Sequence, residues 1–312
     1  MKRTSEIQFT DITKFFQQRM PTNVEYYKDS HTILVEPGFT EYLNCTATRY
    51  SPVFWFYKND TIIGNSLRHY GEYTEIELGL LRNFQSPHCV IYDIGANIGV
   101  HTIAFAKNAR KVYAFEPNEK NYKLLKVNVG TESNVECFNL ALGDKDGVIS
   151  VTELKLDEAG NYGECMITDV GQIAEMTTVD KLYTSRKLLA PTIIKIDVEG
   201  VEWEVIQGMK TTIEENLPII FYEAHQCDTK SIYDYLNKLG YSMYWFPVPN
   251  YNPNNFRKNE QNIFGNGSVV NILAIPFHIQ GVKVNMPKVI DNADTWAKCF
   301  ERFSQKQDAK RD

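Results

Sequence analysis

The 312-residue sequence lacks the features of several protein classes. It contains no apolar run of 18 or more residues, so it predicts no helix that spans a membrane. Its 33 Lys and Arg are outnumbered by 39 Asp and Glu, which gives a formal net charge of −6. Non-specific binding to a phosphate backbone needs a basic surface, and this chain has no basic excess. We therefore expect neither a membrane span nor a nucleic-acid partner.

Paired cysteines are also missing. The six cysteines are scattered singly and no C-x-x-C occurs, which excludes a zinc ribbon and a dithiol redox motif. The opening MKRTSEIQFTDITKFF has an early basic pair but no apolar stretch behind it, so we expect no secretory signal and a cytoplasmic protein with free thiols. The composition, 43% hydrophobic and 23% charged, is that of an ordinary globular chain.

From residue 89 onwards, short apolar strands alternate with amphipathic helices. The pattern predicts strands over 89–94, 111–116, 134–140, 192–198, 218–224, 241–246 and 268–275. It predicts helices over 100–107, 120–129, 201–215 with a weak point at Gly208, and 231–239. Continuous apolar strands separated by helices indicate a parallel sheet covered on both faces, and hence a doubly wound α/β domain.

This pattern divides the chain into three parts. Residues 1–88 form an N-terminal α+β extension, with strands in TILVEP, LNCTAT and PVFWFY and a helix over 70–84. Residues 89–276 form the α/β domain. Residues 277–312 form a C-terminal extension that we expect to contain an accessory helix.

The first predicted strand of the domain ends in a glycine loop, DIGANIG, which leads directly into a helix. Glycines let a backbone approach a nucleotide-type cofactor, and Glu116 at the end of the second strand can accept both ribose hydroxyls. Asp93 would repel a pyrophosphate but suits the ammonium of a methionine group, and Asn97 replaces the glycine that makes room for pyrophosphate. The loop therefore favours S-adenosylmethionine over NAD, and an NAD-dependent reductase is disfavoured.

Three segments, DIGANIGVHTIAFA, VYAFEPNEKNYKLLKVN and IIKIDVEGVEWEVIQGM, closely resemble the FkbM-type S-adenosylmethionine-dependent methyltransferases. The resemblance runs from about Ile62 to Pro276. It implies a class I, Rossmann-like methyltransferase sheet of seven strands with an antiparallel last strand, and methyl transfer to hydroxyl oxygens, often of sugars. It also suggests a cofactor lid at Tyr70, Glu72 and Glu75. The cofactor contacts expected from the loop and the resemblance are Asp93, Gly95, Asn97, Gly99, Thr102, Glu116 and Ala141.

The other half of the site is expected at the carboxyl ends of the fourth and fifth strands. Lys195, Asp197 and Glu199 alternate along one strand, and such charges are costly in an apolar run unless they are paired or functional. Asp197 is the first candidate for contact with the acceptor, followed by Glu223 and His225, whose imidazole suits a general base. An alternative is that Asp197 and Glu223 hold a Mg²⁺ ion, and the metal dependence stays open.

These residues predict an O-methyltransferase acting on a sugar or related small metabolite. Methylation of an RNA ribose 2′-hydroxyl is an alternative that the charge of −6 opposes. A non-catalytic binding module with a decayed site is a second alternative, opposed by the intact set Asp93, Gly95, Gly99 and Glu116. The sequence leaves the acceptor, its regiochemistry and the oligomeric state open.

Overall fold

A computed structural model describes residues 40–130, 132–224, 227–279 and 284–308. After a short 3-10 turn at Thr40–Tyr42, the strands are β1 Leu43–Thr46, β2 Phe54–Tyr57, β3 Val90–Ile94, β4 Lys111–Phe115, β5 Val135–Phe138, β6 Ala141–Leu142, β7 Gly147–Val151, β8 Gln172–Thr177, β9 Ile193–Ile196, β10 Ile219–Glu223, β11 Tyr241–Pro249 and β12 Ser268–Pro276. The helices are α1 Ile63–Tyr70, α2 Glu75–Arg82, α3 Val100–Ala106, α4 Glu119–Val129, α5 Val179–Thr184, α6 Glu202–Gln207, α7 Lys210–Asn216, α8 Thr229–Lys238 and α9 Trp296–Asp308.

The main sheet has seven strands in the order β11-β12-β10-β9-β3-β4-β5. Strands β10, β9, β3, β4 and β5 run parallel, whereas β12 is antiparallel to both of its neighbours. The order reverses between β3 and β9, which is where ligands bind in open α/β sheets. This is the Rossmann-like methyltransferase sheet that the sequence predicts, including its antiparallel last strand.

Alternating side chains of the buried strands supply two separate cores. Tyr92, Ile94, Ile194 and Ile196 pack on one face, against helices α5 to α8. Their sequence neighbours pack on the opposite face, where Ile91 and Ile193 meet α2 and α3. A strand buried on both faces reads as a continuous apolar run, which is why these strands could be recognised from the sequence.

The described part of the N-terminal extension packs directly on the α/β domain. Strands β1 and β2 were both predicted and pair as an antiparallel hairpin, whereas the predicted strand in TILVEP lies outside the described residues. The buried Asn128 of α4 donates from its side chain to the carbonyl of Trp55 and accepts from the amide of Trp55. This pair of bonds completes the backbone hydrogen bonding of a buried edge of the hairpin.

Two predicted helices are wrong in extent. In place of one helix over 70–84, α1 ends at Tyr70 and α2 begins at Glu75, because Gly71 adopts a left-handed backbone with φ +69° and Thr74 does so at φ +48°. The predicted helix over 201–215 is likewise two helices, α6 and α7, and the break falls at Gly208. A Cβ atom at Gly208 would lie 1.8 Å from the carbonyl oxygen of Gly143, so this position requires glycine.

Other features agree with or add to the predictions. The accessory helix after Pro276 is present as α9, and all six cysteines are free thiols. The sequence reasoning missed a small sheet in the order β6-β8-β7, together with α5. Within the described ranges, none of the helices has both the length and the apolar content needed to cross a membrane.

Candidate active site

A cavity of about 610 Å³ opens at the carboxyl ends of the parallel strands. Its walls include the glycine loop after β3, the ends of β4, β9 and β10, and part of β12. This volume lies within the range of small-molecule and cofactor sites, which is roughly 300–1,000 Å³. The cavity is therefore large enough to be the principal binding site of the α/β domain.

The glycine loop wraps tightly around the end of β9. Gly95 has φ +77°, and a Cβ atom there would lie 1.8 Å from the backbone oxygen of Asp197, so only glycine fits. Asn97 also adopts a left-handed backbone, with φ +49°, a conformation that asparagine tolerates better than most residues. Gly99 faces away from the cavity, because a Cβ atom there would lie 2.7 Å from Leu125 of α4.

Glu116 closes the β4 side of the cavity. Its carboxylate accepts from the amide of Asn97 at 2.8 Å through Oε2 and from the amide of Asn118 at 2.9 Å through Oε1. Burial raises the pKa of Glu116 to about 7 despite these two bonds. Each oxygen keeps a second lone pair, so the ionised carboxylate can accept two further hydroxyl groups from the cavity. This donor set fits the two hydroxyls of a ribose.

A buried charge network lies beneath the loop. Asp93 is fully buried, accepts from Thr102 Oγ1 at 2.6 Å and lies 3.4 Å from Lys195 Nζ. Burial alone would lower the pKa of Lys195, but the charges of Asp197 and Asp93 raise it above the ordinary range. The Lys195 ammonium also donates to the carbonyl of Gly95 at 3.2 Å, so the network fixes the loop from below.

Three carboxylates meet where β9 and β10 end. Asp197, Glu199 and Glu223 can each offer an oxygen atom, and these atoms lie within 4.8 Å of one another. Burial and the negative charge of Asp197 raise the pKa of Glu199 to about 8 and that of Glu223 to about 9. Both glutamates therefore hold a proton at neutral pH, while Asp197 lies 3.2 Å from the Lys195 ammonium.

The same three side chains suit a hard divalent cation. Carboxylate oxygens are the ligands that Mg²⁺ prefers, and a bound cation would displace the protons of Glu199 and Glu223. Glu199 adds a third ligand to the pair Asp197 and Glu223 that the sequence suggests. The donor set fits Mg²⁺, and the metal dependence stays open.

The wall opposite the sheet comes from the segment that links α1 and α2. Tyr73, Thr74 and Glu77 line the cavity there. The predicted lid residues do not: Tyr70 is buried beside the loop over 250–266, and Glu72 accepts from Asn252 and from the amide of Phe256. Glu75 is paired with arginines on the outer side of α2. The segment of the predicted lid therefore borders the cavity, but through residues other than the three that the prediction names.

Eight of the predicted site residues line the cavity, namely Gly95, Asn97, Glu116, Ala141, Lys195, Asp197, Glu199 and Glu223. Asp93, Gly99 and Thr102 lie behind the wall. The Asp93 carboxylate is fully buried beside Thr102 and Lys195, and its contact with the ammonium of a methionine group remains a prediction. His225 lies outside the described residues.

Backbone strain is concentrated around this cavity. Among the described residues, six other than glycine have positive φ angles, and three of them, Thr74, Asn97 and Glu199, line the cavity. A left-handed conformation costs a β-branched residue such as threonine about 1–2 kcal/mol, and such strain is typical of functional sites.

The comparison with protein families settles the nature of the domain. Residues 93–243 match the family model described as "Methyltransferase FkbM domain". The chain contains an FkbM methyltransferase domain. The match begins at Asp93, near the end of β3, and includes the whole of the parallel strands β4, β5, β9 and β10.

Individual relatives extend this comparison. The FkbM region is similar to the hexuronic acid methyltransferase AglP of Haloferax volcanii, with 29% identity over 137 residues, or 44% of this chain and 56% of the relative. The chain thus spans just over half the length of that relative. Among solved structures, the methyltransferase FkbM from Methylobacillus flagellatus KT matches with a TM-score of 0.40 and 16% identity, over 60% of this chain and 44% of that one. SMU.1697c from Streptococcus mutans, solved in complex with SAH, matches with a TM-score of 0.37 and 11% identity, over 64% and 96% of the two chains.

Proposed function

We propose that this chain is an S-adenosylmethionine-dependent O-methyltransferase that acts on a hydroxyl group of a sugar or a related small metabolite. One observation carries this proposal. A single cavity is lined both by Glu116, which can accept hydrogen bonds from ribose hydroxyls, and by the carboxyl groups of Asp197 and Glu223, which can bind or release protons. The FkbM domain and the similarity to a hexuronic acid methyltransferase support it.

The cofactor end of the cavity is formed by the glycine loop and Glu116. Bound S-adenosylmethionine would supply a methyl group already activated by its sulfonium. Glu116 would accept the ribose hydroxyls, and Gly95 and Asn97 would give the loop the shape that admits the cofactor. Ala141 would contact the same end from the strand after β5.

The acceptor end must position a hydroxyl group and remove its proton. Asp197 is the favoured base, because the neighbouring Glu223 and Glu199 have raised pKa values and already hold protons at neutral pH. Protonated Glu223 and Glu199 can instead donate hydrogen bonds to acceptor oxygens. Lys195 would hold Asp197 in place at 3.2 Å.

The experiment is a transfer assay with methyl-labelled S-adenosylmethionine and a panel of glucose, glucuronic acid, galacturonic acid, their methyl glycosides and a single-stranded RNA. We expect label on a sugar, at an alkali-stable methyl ether, and little transfer by Asp197→Asn. A matched control is Asp169→Asn, an exposed acid outside the cavity, which should transfer normally. Label on the RNA alone, or on sugar carboxylates as alkali-labile esters, would contradict the proposal.

A further inference from the structure

The methionine end of the cofactor needs charged or polar partners in the cavity wall. Asp93 is the predicted partner of its ammonium, but that carboxylate is fully buried beside Thr102 and Lys195 and does not line the cavity. A charged amino-acid group that enters a cavity must be met by charged or hydrogen-bonding side chains, because leaving it unpaired costs several kcal/mol. The acidic side chains that do line the cavity are therefore the candidates.

Glu77 and His101 form a buried pair in that wall. His101 Nε2 lies 3.3 Å from Glu77 Oε2 and 3.0 Å from Thr74 Oγ1. Both residues line the cavity, with exposed fractions of only 4% for Glu77 and 7% for His101. The pair joins helix α2 of the N-terminal extension to the first turn of α3, immediately after the glycine loop.

The remaining contacts orient both side chains. Asn271 donates from Nδ2 to Glu77 Oε1 at 3.0 Å, and Asn271 is the cross-strand neighbour of Glu223. Because a carboxylate only accepts hydrogen bonds, Glu77 favours a proton on His101 Nε2. Among the described residues, none forms a hydrogen bond with His101 Nδ1. The pair therefore presents unused lone pairs on Glu77 and an unused ring nitrogen on His101.

We propose that Glu77 and His101 bind the amino-acid end of the cofactor, with the Glu77 carboxylate and the lone pair of His101 Nδ1 both accepting from its ammonium. This inference rests on the proposed use of S-adenosylmethionine. It assigns to the N-terminal extension a direct part in cofactor binding, because Glu77 and Thr74 lie outside the residues that match the FkbM domain. The strained backbone of Thr74, at φ +48°, holds the threonine hydroxyl against His101.

The test compares two ligands by calorimetry. S-adenosylhomocysteine carries the amino-acid end, whereas 5′-methylthioadenosine keeps the adenosine and the thioether and lacks it. We expect Glu77→Gln and His101→Gln each to weaken binding of S-adenosylhomocysteine about 10- to 100-fold, the usual effect of losing a charged hydrogen bond. Binding of 5′-methylthioadenosine should change by less than about twofold, since no contact with the pair is lost.

The control is Glu119→Gln. Glu119 begins α4 and does not line the cavity, and its side chain is 57% exposed and paired with Lys123, so the affinity for both ligands should be unchanged. Thermal unfolding of each variant establishes that it is folded before titration.

The outcomes separate this inference from the proposed function. If the wild-type chain binds neither ligand, the proposed cofactor is wrong. If the wild-type chain binds both ligands, and each variant either loses affinity for both equally or keeps full affinity for both, the cofactor assignment stands. The role of Glu77 and His101 is then overturned. Selective loss of S-adenosylhomocysteine binding in both variants supports the assignment.

Discussion

The buried ion pair between Lys195 and Asp93, beneath the glycine loop, allows a test of its contribution to the stability of the protein. Lys195 is 2% exposed and lies 3.4 Å from Asp93, which is fully buried. Replacing Lys195 with methionine keeps the length of the side chain but leaves the Asp93 carboxylate without a counter-charge. Breaking a buried pair in this way costs about 3–5 kcal/mol. Because Thr102 still donates to Asp93, we expect a loss near the lower end, about 3 kcal/mol.

The free energy of unfolding is measured by urea titration without cofactor, so that binding does not contribute. The double variant Lys195→Met/Asp93→Asn removes both charges, and we expect it to recover about 2 kcal/mol of the loss, since an uncharged pair often replaces a buried ion pair at little cost.

The matched control is Lys181→Met. Lys181 lies 2.7 Å from Asp146, but both side chains are more than half exposed, at 63% and 54%, so its loss should cost about 0–1 kcal/mol. The reasoning is refuted if Lys195→Met is no less stable than this control, or if the double variant is as unstable as the single one.

Three further predictions concern the cavity. Gly95→Ala places a Cβ atom 1.8 Å from the backbone of Asp197, so it should lower the free energy of unfolding by about 2–4 kcal/mol and abolish binding of S-adenosylhomocysteine. The control Gly265→Ala, at φ +58° with open space around it, should lower the free energy of unfolding by about 1 kcal/mol. Equal losses of stability in the two variants would contradict the packing argument. Because the pKa of Glu116 is raised to about 7, affinity for S-adenosylhomocysteine should fall as the pH is lowered from 8 to 6, and the same titration of Glu116→Gln should be flat. Because the pKa values of Glu199 and Glu223 are about 8 and about 9, Mg²⁺ should bind more tightly at pH 9 than at pH 7, with release of protons; calorimetry that detects no Mg²⁺ binding at pH 9 would remove the metal from the account.

The α/β sheet could be predicted from the sequence because its strands are buried on both faces and therefore continuous in apolar character. The break between α1 and α2 could not, since the apolar spacing of Tyr73, Ile76 and Leu80 continues through it. Gly71 was the available signal, because glycine is the residue that commonly ends a helix in a left-handed conformation. The small sheet of β6, β7 and β8 is short, and five of the exposed large apolar side chains, including Val170 and Ile173, lie in or beside it, which obscures its strand pattern.

Some residues of the candidate site could likewise be predicted from the sequence, and others could not. Glu116 and Asp197 could be located because they come directly after strands whose ends meet at one edge of the sheet. Glu77 could not be located, because it lines the cavity only through the placement of a helix from the extension. That placement depends on contacts distant in sequence, such as the bond from Asn271. The burial of Asp93 could not be predicted for the converse reason: the sequence shows its carboxylate but not the Lys195 ammonium that lies 3.4 Å from it.

The central claim is that the cavity binds S-adenosylmethionine with its ribose on Glu116. The most direct measurement is a calorimetric titration of the wild-type chain and of Glu116→Ala with S-adenosylhomocysteine, with NAD as the competing dinucleotide. We predict one S-adenosylhomocysteine bound per chain, a large loss of affinity in Glu116→Ala and no heat with NAD. Binding of NAD, or full affinity for S-adenosylhomocysteine in Glu116→Ala, would contradict it.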